Sequence, residues 1–225
     1  MQPRTVVITG AGRGIGLELS RECALRGDTV IAAVRSPSAG LGSLAKSREV
    51  EVVTGVDVAL GGADLLRTHL AERPVDILLL NAGILERQGP LELDIASIER
   101  QLQVNAIGPL RVVRALISNL RAGSKIAIVT SRMGSLADNG SGGFYGYRMS
   151  KAALNMAGVS LARDLAPKKV SVVLLHPGYV KTDMTGGGGD VDAATSAKRL
   201  LARVDELSLE RSGRFIHANG EELPW

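Results

Sequence analysis

Two side chains that could together transfer a proton, Tyr147 and Lys151, lie four residues apart in the sequence. At that spacing on a helix, the phenol and the amine share one face. A free tyrosine has a pKa of about 10, so it exchanges protons poorly near neutrality unless its phenolate is stabilised. An ammonium within roughly 4 to 6 Å lowers such a pKa by about one to three units. The pair predicts a general acid/base at Tyr147, with chance spacing on a solvated helix as the alternative.

A glycine-rich turn near the N-terminus lies between a strand pattern and a helix pattern. Residues 5–9 are β-branched and apolar, and residues 17–26 have helical periodicity. Glycines let the backbone approach a pyrophosphate, and the following helix N-terminus offers N–H groups and the positive end of its dipole. This context predicts dinucleotide binding. The predicted contacts are Gly10, Arg13, Gly14, Ile15 and Gly16.

Strand patterns alternate with helical patterns along the rest of the chain. This alternation predicts βαβ units with right-handed crossovers, and therefore an α/β fold with a doubly wound parallel (Rossmann) sheet. No interdomain linker is visible, so we expect one domain over residues 1–225. Further strands are predicted at 29–34, 51–56, 76–80, 125–130, 170–175 and 214–217, and a helix over 191–204, followed by a tail at 221–225.

The segment 95–120 is long and amphipathic, but Asn105 and the pair Gly108-Pro109 interrupt it. Proline cannot donate a helical hydrogen bond, so we predict one helix with a local kink or bulge near the break. Asn105 is therefore expected where the backbone bonding is disturbed. A second long helix should carry Tyr147 and end before Pro167.

The composition excludes several classes of protein. Of 225 residues 45% are hydrophobic and only 3% aromatic, which suits one core of Val, Ile, Leu and Ala around a buried sheet. The formal charge is +4, but the Lys and Arg residues are scattered, so no nucleic-acid interface is indicated. A single cysteine, and the lack of a signal-peptide pattern or an apolar run of membrane-spanning length, predict a soluble cytoplasmic protein. We predict no metal site.

The end of the second predicted strand bears on the choice of cofactor. An NAD-binding protein usually places a carboxylate there for the ribose hydroxyls, whereas this chain has Arg35-Ser36. Arg13, in the glycine turn, can reach the same ribose of the cofactor. Guanidinium groups bind phosphate oxygens through charge-assisted bonds, so the two arginines predict NADP. The alternative is that both arginines are only solvated.

Taken in order, these features resemble the short-chain dehydrogenase/reductase family over nearly the whole chain. Four motifs carry the resemblance. They are Thr9-Gly10-x-x-x-Gly14-Ile15-Gly16, Asn81-Ala82-Gly83, Tyr147-x-x-x-Lys151 and Pro177-Gly178.

The resemblance implies roles for four catalytic side chains. Tyr147 would be the general acid/base, and Lys151 would lower its pKa and hold the nicotinamide ribose. Asn105 would support the proton relay to Tyr147. Ser131 would orient the substrate carbonyl, and its rival is Ser135, which also follows the fifth strand. Ser131 is preferred because Ser131-x-x-Gly134 matches the family's pattern.

The resemblance also implies further cofactor contacts. Asp57, followed by Val58, would meet the adenine amine, and Val180 and Thr182 would lie beside the nicotinamide carboxamide. Capping is the structural alternative for three of the side chains: Asn105 at the helix break, Asp57 at the next helix, and Thr182 as an N-cap. The remaining contacts implied are Asn81, Ala82, Gly83, Pro177 and Gly178.

The implied activity is an NADP-dependent oxidoreductase that moves hydride between the nicotinamide and a carbonyl or alcohol carbon of a small apolar substrate. The resemblance also implies a homodimer or homotetramer. A narrower likeness connects the chain with the C-factor branch, described as developmental signals, and with sniffer-type carbonyl reductases. The rival hypothesis is therefore a signalling protein in which bound nucleotide is structural or regulatory. An apolar pocket wall is expected from Ile84, Met133, Leu136, Tyr179 and Met184.

Overall fold

The computed structural model describes residues 3–225, and within them one parallel sheet of seven strands. The order across the sheet is β3-β2-β1-β4-β5-β6-β7, so the strand order reverses between β1 and β4. The predicted doubly wound α/β fold is confirmed. The strands are β1 Thr5–Thr9, β2 Thr29–Ala33, β3 Val50–Val53, β4 Val75–Leu80, β5 Leu120–Val129, β6 Ser171–His176 and β7 Phe215–His217.

Helices cover both faces of the sheet. The first, second and last helices pack on one face, and the third, fifth and sixth pack on the other. Within residues 3–225, no helix combines the length and the hydropathy that crossing a membrane requires. The helices are α1 Gly14–Leu25, α2 Ala39–Ser47, α3 Ala63–Leu70, α4 Ile95–Leu102, α5 Gly108–Leu116, α6 Tyr145–Leu165 and α7 Ala193–Asp205.

The central strands are continuously apolar because each face of the sheet is buried. In β1, Val6 and Ile8 pack under α1, α2 and α7, whereas Val7 points to the opposite layer of α3, α5 and α6. All three side chains are fully buried. This packing fixes the carboxyl ends of β1, β2 and β4 side by side.

The predicted break in the segment 95–120 is present as a π-helical turn. Residues Gln103–Ile107 form this turn between α4 and α5, and Asn105 lies within it. Pro109 stands in the first turn of α5, directly after the π-helical turn, to which it cannot donate a backbone hydrogen bond. The predicted helix end was wrong, because α5 ends at Leu116. Leu120 already belongs to β5, where it pairs with Val75.

Candidate active site

The carboxyl ends of β1, β2 and β4 border a cleft of about 750 Å³. It lies where the strand order reverses, which is where open α/β sheets bind ligands. Most of the residues predicted to contact a cofactor line this cleft. They are Gly10, Arg13, Gly14, Ile15, Gly16, Arg35, Asp57, Val58, Asn81, Ala82, Gly83 and Thr182.

The glycine turn is packed so closely that side chains do not fit. Gly10 has a φ of +68°, and a Cβ there would lie 2.8 Å from the Ala82 Cα. A Cβ at Gly16 would collide with the Gly10 carbonyl oxygen. Helix α1 follows at once, and its N-terminus carries no side-chain cap and no acidic residue in the first turn. Its N–H groups are therefore available to an anion in the cleft.

Asn81 joins the ends of β4 and β1. Its backbone N–H donates to Thr9 Oγ1 at 3.0 Å, and its side-chain amide donates to the Thr9 and Gly10 carbonyls at 3.2 and 3.3 Å. The Asn81 side chain thus holds the glycine turn against β4. Its immediate contribution to the cleft is to fix the shape of the cleft floor.

Two arginines stand at the corner of the cleft beyond β2. Arg35 is exposed and forms no ion pair within the part of the chain that the structure describes. Arg13 pairs with Asp183 at 3.4 Å, and both side chains are more than 70% exposed. Such an exposed pair contributes about 0 to 1 kcal/mol, so Arg13 can exchange it for a stronger anionic partner.

Asp57 borders the cleft and also stabilises its own turn. Its Oδ1 accepts a hydrogen bond from the Ala59 N–H at 2.8 Å. The next helix, α3, begins later, with Gly62 as its N-cap residue. The alternative that Asp57 caps α3 is therefore wrong, although its side chain does stabilise the turn that leads there.

The four predicted catalytic side chains lie together beyond the inner end of the cleft. Each of Asn105, Ser131, Tyr147 and Lys151 is at most 8% exposed. Lys151 Nζ donates to the Val129 carbonyl at 3.0 Å and lies 5.7 Å from the centroid of the Tyr147 ring.

Gly83 separates these side chains from the cleft. A Cβ at Gly83 would stand 3.3 Å from Asn105 Oδ1 and 3.8 Å from Lys151 Nζ. A side chain at this position would therefore crowd the polar groups behind it. The absence of a side chain keeps Asn105 and Lys151 next to the cleft that Gly83 lines.

The expected lowering of the Tyr147 pKa is wrong for this structure. Burial raises the pKa of Tyr147 to about 12, and a hydrogen bond with Ser131 offsets only part of that rise. Burial lowers the pKa of Lys151 to about 8. Burial disfavours the charged phenolate, and the Lys151 ammonium donates to a backbone carbonyl rather than to the phenol oxygen.

Asn105 connects the loop after β4 with α6. Its side chain accepts from the Ile84 N–H and donates to the Ile84 carbonyl, both at 2.8 Å, and it donates to Ser150 Oγ at 3.0 Å. Ser150 in turn donates to the Tyr147 carbonyl at 2.8 Å. Asn105 therefore bridges two elements rather than capping the helix break. Ser150 was not predicted, since a serine inside a helix gives no sequence signal of a long-range contact.

The two candidate hydroxyls have different surroundings. Ser135 Oγ donates to the Trp225 carbonyl at 3.0 Å and accepts from the Asp138 N–H at 3.1 Å. Ser131 Oγ accepts from the Met133 N–H at 3.1 Å, and Ser131 is the side chain whose hydroxyl lowers the pKa of Tyr147. These surroundings favour Ser131 as the partner of Tyr147.

Of the four residues after β6 that were predicted to contact the cofactor, one lines the cleft. Pro177, Gly178 and Val180 do not line it, because Val180 is buried and pairs with Val191. Thr182 does line it, and its methyl would lie 3.3 Å from a Cβ at Gly14, on the glycine turn. The alternative reading of Thr182 also holds, since it is the N-cap residue of the short turn Asp183–Thr185.

Several cleft residues were not predicted from the sequence. Ser38 was detectable, because it caps α2 by accepting from the Leu41 N–H at 3.2 Å and also binds the Gly12 carbonyl. Its N-cap position before a helical pattern is a recognisable signal. Gly12 and Ser36 adjoin predicted contacts, in the glycine turn and directly after Arg35. The others had no local signal; they are Ala33, Val34, Val56, Val104, Lys181 and Asp183.

The predicted apolar wall is only partly formed. Ile84 and Met184 line the cleft. Leu136 is 79% exposed and Tyr179 is 53% exposed, so neither closes a pocket here. Among residues 3–225, no group of three or more His, Cys, Asp and Glu side chains is placed to hold a metal ion.

We expect the burial of Lys151 to make the stability of the nucleotide-free protein depend on pH. The unfolded chain keeps this proton up to a pKa of about 10.4, whereas the folded protein releases it near 8. Between those values the unfolded state binds more protons, so the free energy of unfolding from this group rises with pH. Urea denaturation from about pH 7 to about pH 10 should show the rise in wild type and a flatter profile in Lys151→Met.

Lys198→Met is the matched control, because Lys198 is an exposed lysine paired with Glu22. Its profile should follow that of wild type. Parallel profiles for wild type and Lys151→Met would contradict the prediction.

The switch-point cleft, the glycine turn and the uncapped helix N-terminus define the class of α/β dinucleotide-binding folds. The chain belongs to the short chain dehydrogenase family, whose family model matches residues 4–190. It is thus an oxidoreductase of this family. The family membership predicted from the motifs is confirmed.

Two curated relatives illustrate the similarity. The 1-hydroxy-2-glutathionyl-2-methyl-3-butene dehydrogenase of Rhodococcus sp. (strain AD45) is 41% identical over 230 residues, covering 98% of this chain and 99% of the relative. The C-signal of Myxococcus xanthus is 48% identical over 161 residues, covering 70% of this chain and 97% of the relative.

Two solved structures match the whole fold. The carbonyl reductase Sniffer of D. melanogaster superposes with a TM-score of 0.91 at 28% identity, covering 100% of both chains. A carbonyl reductase from Pseudomonas aeruginosa PAO1 in complex with NADP has a TM-score of 0.86 at 36% identity, again covering 100% of both chains. The predicted likeness to the C-factor and sniffer-type branch is confirmed.

Proposed function

We propose that this chain is an NADP-dependent oxidoreductase that interconverts a carbonyl compound and its alcohol. The observation that carries the proposal is the continuity of the site. One cleft runs from the glycine turn to Gly83, and directly behind Gly83 lie the buried Asn105 and Lys151. A dinucleotide placed along this cleft would bring its nicotinamide end to the polar cluster.

The residues of the cleft fit NADP. The glycine turn leaves space for a pyrophosphate at the N-terminus of α1, and Arg13 and Arg35 supply two exposed guanidinium groups at the outer corner. Asn81 donates hydrogen bonds to two backbone carbonyls and to the Thr9 hydroxyl at the cleft floor, so the floor is rigid. The similar Pseudomonas aeruginosa reductase is a complex with NADP. When bound, NADP supplies or accepts the hydride.

We assign the proton chemistry to the chain's own side chains. In the reducing direction, the hydroxyls of Ser131 and Tyr147 donate hydrogen bonds to the substrate carbonyl oxygen and stabilise its developing negative charge. Hydride addition to the carbonyl carbon breaks the C=O π bond, and Tyr147 delivers a proton to the oxygen to complete the alcohol. Lys151 and Asn105 support the transfer of a replacement proton through water.

The protonation states suit this direction. With a pKa of about 12, Tyr147 carries its proton at neutral pH, as a general acid must, and gives it up only as negative charge develops on the substrate oxygen. Lys151, with a pKa of about 8, is mostly an ammonium at neutral pH and can release a proton at little cost. Ser131 is held beside Tyr147 by the turn that follows β5.

A signalling role is the second candidate, and the similarity to C-signal favours it. In that case the nucleotide would be structural or regulatory.

A screen of aldehydes, ketones and quinones for NADPH oxidation tests the reductase and the signalling proposals against each other. We expect at least one apolar carbonyl to be reduced with NADPH. Intact NADPH binding, with no turnover of any of them, would favour the signalling role.

We expect the protein to form homodimers or homotetramers. The outer faces of α5 and α6 and the turn before α5 carry exposed apolar side chains, at Ile107, Leu110, Met149 and Met156, which are between 38% and 69% exposed. A partner would remove this apolar area from water. Light scattering at micromolar concentration should give a dimer or tetramer, and Met156→Lys should shift it toward monomer. A monomeric wild type would rule the prediction out.

A further inference from the structure

The last five residues, 221–225, form an ordered tail on the edge of the sheet. The Leu223 N–H donates to the Phe215 carbonyl at 2.8 Å, and the Leu223 side chain is 3% exposed. The Glu221 carbonyl accepts from the His217 N–H at 2.8 Å. The Trp225 ring stacks on Phe215 with their centroids 5.4 Å apart. These contacts fix the tail to β7.

The tail is bonded in turn to the loop that carries Ser131. The Trp225 carbonyl accepts from Ser135 Oγ at 3.0 Å and from the Ala137 N–H at 2.9 Å. Glu221 pairs with Arg132 at 3.2 Å, and Asp138 pairs with the same arginine at 3.1 Å. The tail therefore contacts the loop at three of the residues that follow Ser131.

The turn Arg132–Gly134 is held from the opposite side by α6. A Cβ at Gly134 would lie 2.7 Å from the backbone of Lys151, so the turn is in close contact with this helix. The Gly134 carbonyl also accepts from the Asn155 side chain at 3.3 Å. The turn is thus enclosed between α6, which carries Tyr147, and the tail.

Such enclosure matters for a carbonyl that must contact two hydroxyls at once. Ser131 begins the turn, and the tail sets where the turn lies relative to Tyr147. A displacement of about 1 Å in a reacting geometry can cost on the order of a hundredfold in rate. Groups that hold a catalytic side chain in place therefore affect turnover without touching the substrate.

We propose that the tail is a positioning element for Ser131, and that Trp225 is its main positioning residue. The stack of Trp225 on Phe215 fixes the Trp225 carbonyl, which in turn fixes Ser135 and Ala137. This role rests on the proposed carbonyl reduction. It requires that loss of the indole lower turnover while the affinity for the cofactor, which Ser131 does not bind in the proposed site, is unaffected.

The test compares Trp225→Ala with Trp225→Phe in NADPH-dependent reduction of phenanthrenequinone. We expect Trp225→Ala to lower kcat by about tenfold with no change in the Kd for NADPH, because only the hydroxyl geometry is disturbed. Trp225→Phe keeps a ring on Phe215 and should restore kcat. Leu209→Ala is the matched control: Leu209 is 45% exposed, Trp225 is 47% exposed, and Leu209 is outside the tail. It should behave as wild type.

A double-mutant cycle tests the path through Ser135. If Ser135 acts only through the tail, Ser135→Ala should add little to the loss in Trp225→Ala, because both remove the same contact. Independent, multiplicative losses would overturn the path. Equal kcat in wild type and Trp225→Ala would overturn the positioning role itself.

Limited trypsin digestion gives a readout that needs no activity. Arg132 lies in the enclosed turn, so cleavage after it should be faster in Trp225→Ala than in wild type and normal in Trp225→Phe. Unchanged cleavage would overturn the proposal. Faster cleavage in Trp225→Ala, together with a wild type that reduces no carbonyl, would support the contact between the tail and the Ser131 loop. It would refute the proposed carbonyl reduction instead.

Discussion

Replacing Tyr147 by phenylalanine is expected to abolish nearly all turnover and to leave the fold and NADPH affinity intact. The change deletes one oxygen from a buried side chain of α6, and Phe keeps the buried ring. General acid/base groups are typically worth about 10² to 10⁴ in rate, so kcat should fall by that factor. Steady-state kinetics with any carbonyl that the wild type reduces, together with a titration of NADPH, measures both quantities.

Tyr145→Phe provides the matched control. Tyr145 begins the same helix, two residues before Tyr147, but its side chain is 38% exposed. Removal of its hydroxyl should leave kcat unchanged. If Tyr147→Phe kept activity within a few-fold of wild type, Tyr147 would not be the acid, and the proposed mechanism would be wrong.

Replacing Arg35 by alanine is expected to weaken NADPH binding by roughly tenfold to a hundredfold, because a charge-assisted hydrogen bond is worth about 1.5 to 3 kcal/mol. NADH lacks the 2′-phosphate, so its affinity should be nearly unchanged. The exposed guanidinium at the cleft corner, with no ion pair in residues 3–225, supports this expectation. Titration of both cofactors into both proteins gives the four dissociation constants.

Arg48→Ala is the control that distinguishes loss of a local contact with NADPH from a change in the protein's net charge. Arg48 is an exposed arginine at the C-terminal end of α2 and does not border the cleft, so this change removes the same charge elsewhere. It should leave NADPH binding close to wild type. Tighter NADH than NADPH binding in wild type, or equal losses for both cofactors in Arg35→Ala, would contradict the NADP assignment.

The site was partly predictable because several of its residues are fixed by local sequence. The glycine turn needs glycine at position 10 for a positive φ and at position 16 for close packing. The glycine spacing therefore predicts a nucleotide-binding turn without a structure. The Tyr147 to Lys151 spacing follows from one helix. The family's pattern already favoured Ser131 over Ser135, but the contact that occupies Ser135 was not local, since its partner Trp225 lies 90 residues further along the chain.

The direction of the pKa shift at Tyr147 could not be predicted from the sequence either. The spacing of Tyr147 and Lys151 predicts that they are neighbours, but it says nothing about how much water surrounds them. Burial of both side chains, opposed at Tyr147 by the Ser131 hydroxyl, sets the pKa values. The sequence could not anticipate them, because desolvation is a property of everything packed around a group.

By itself, the sequence determined the class of fold, the location of the nucleotide turn and the identity of the family. These rest on patterns that repeat within one strand or helix, where each residue's conformation depends on close neighbours. Only the tertiary structure decided which hydroxyl stands beside Tyr147, that Asn105 bridges two elements through Ser150, and that residues 221–225 hold the Ser131 loop. Those outcomes depend on hydrogen bonds and packing between distant segments, which form only when the whole sheet and its helices have assembled.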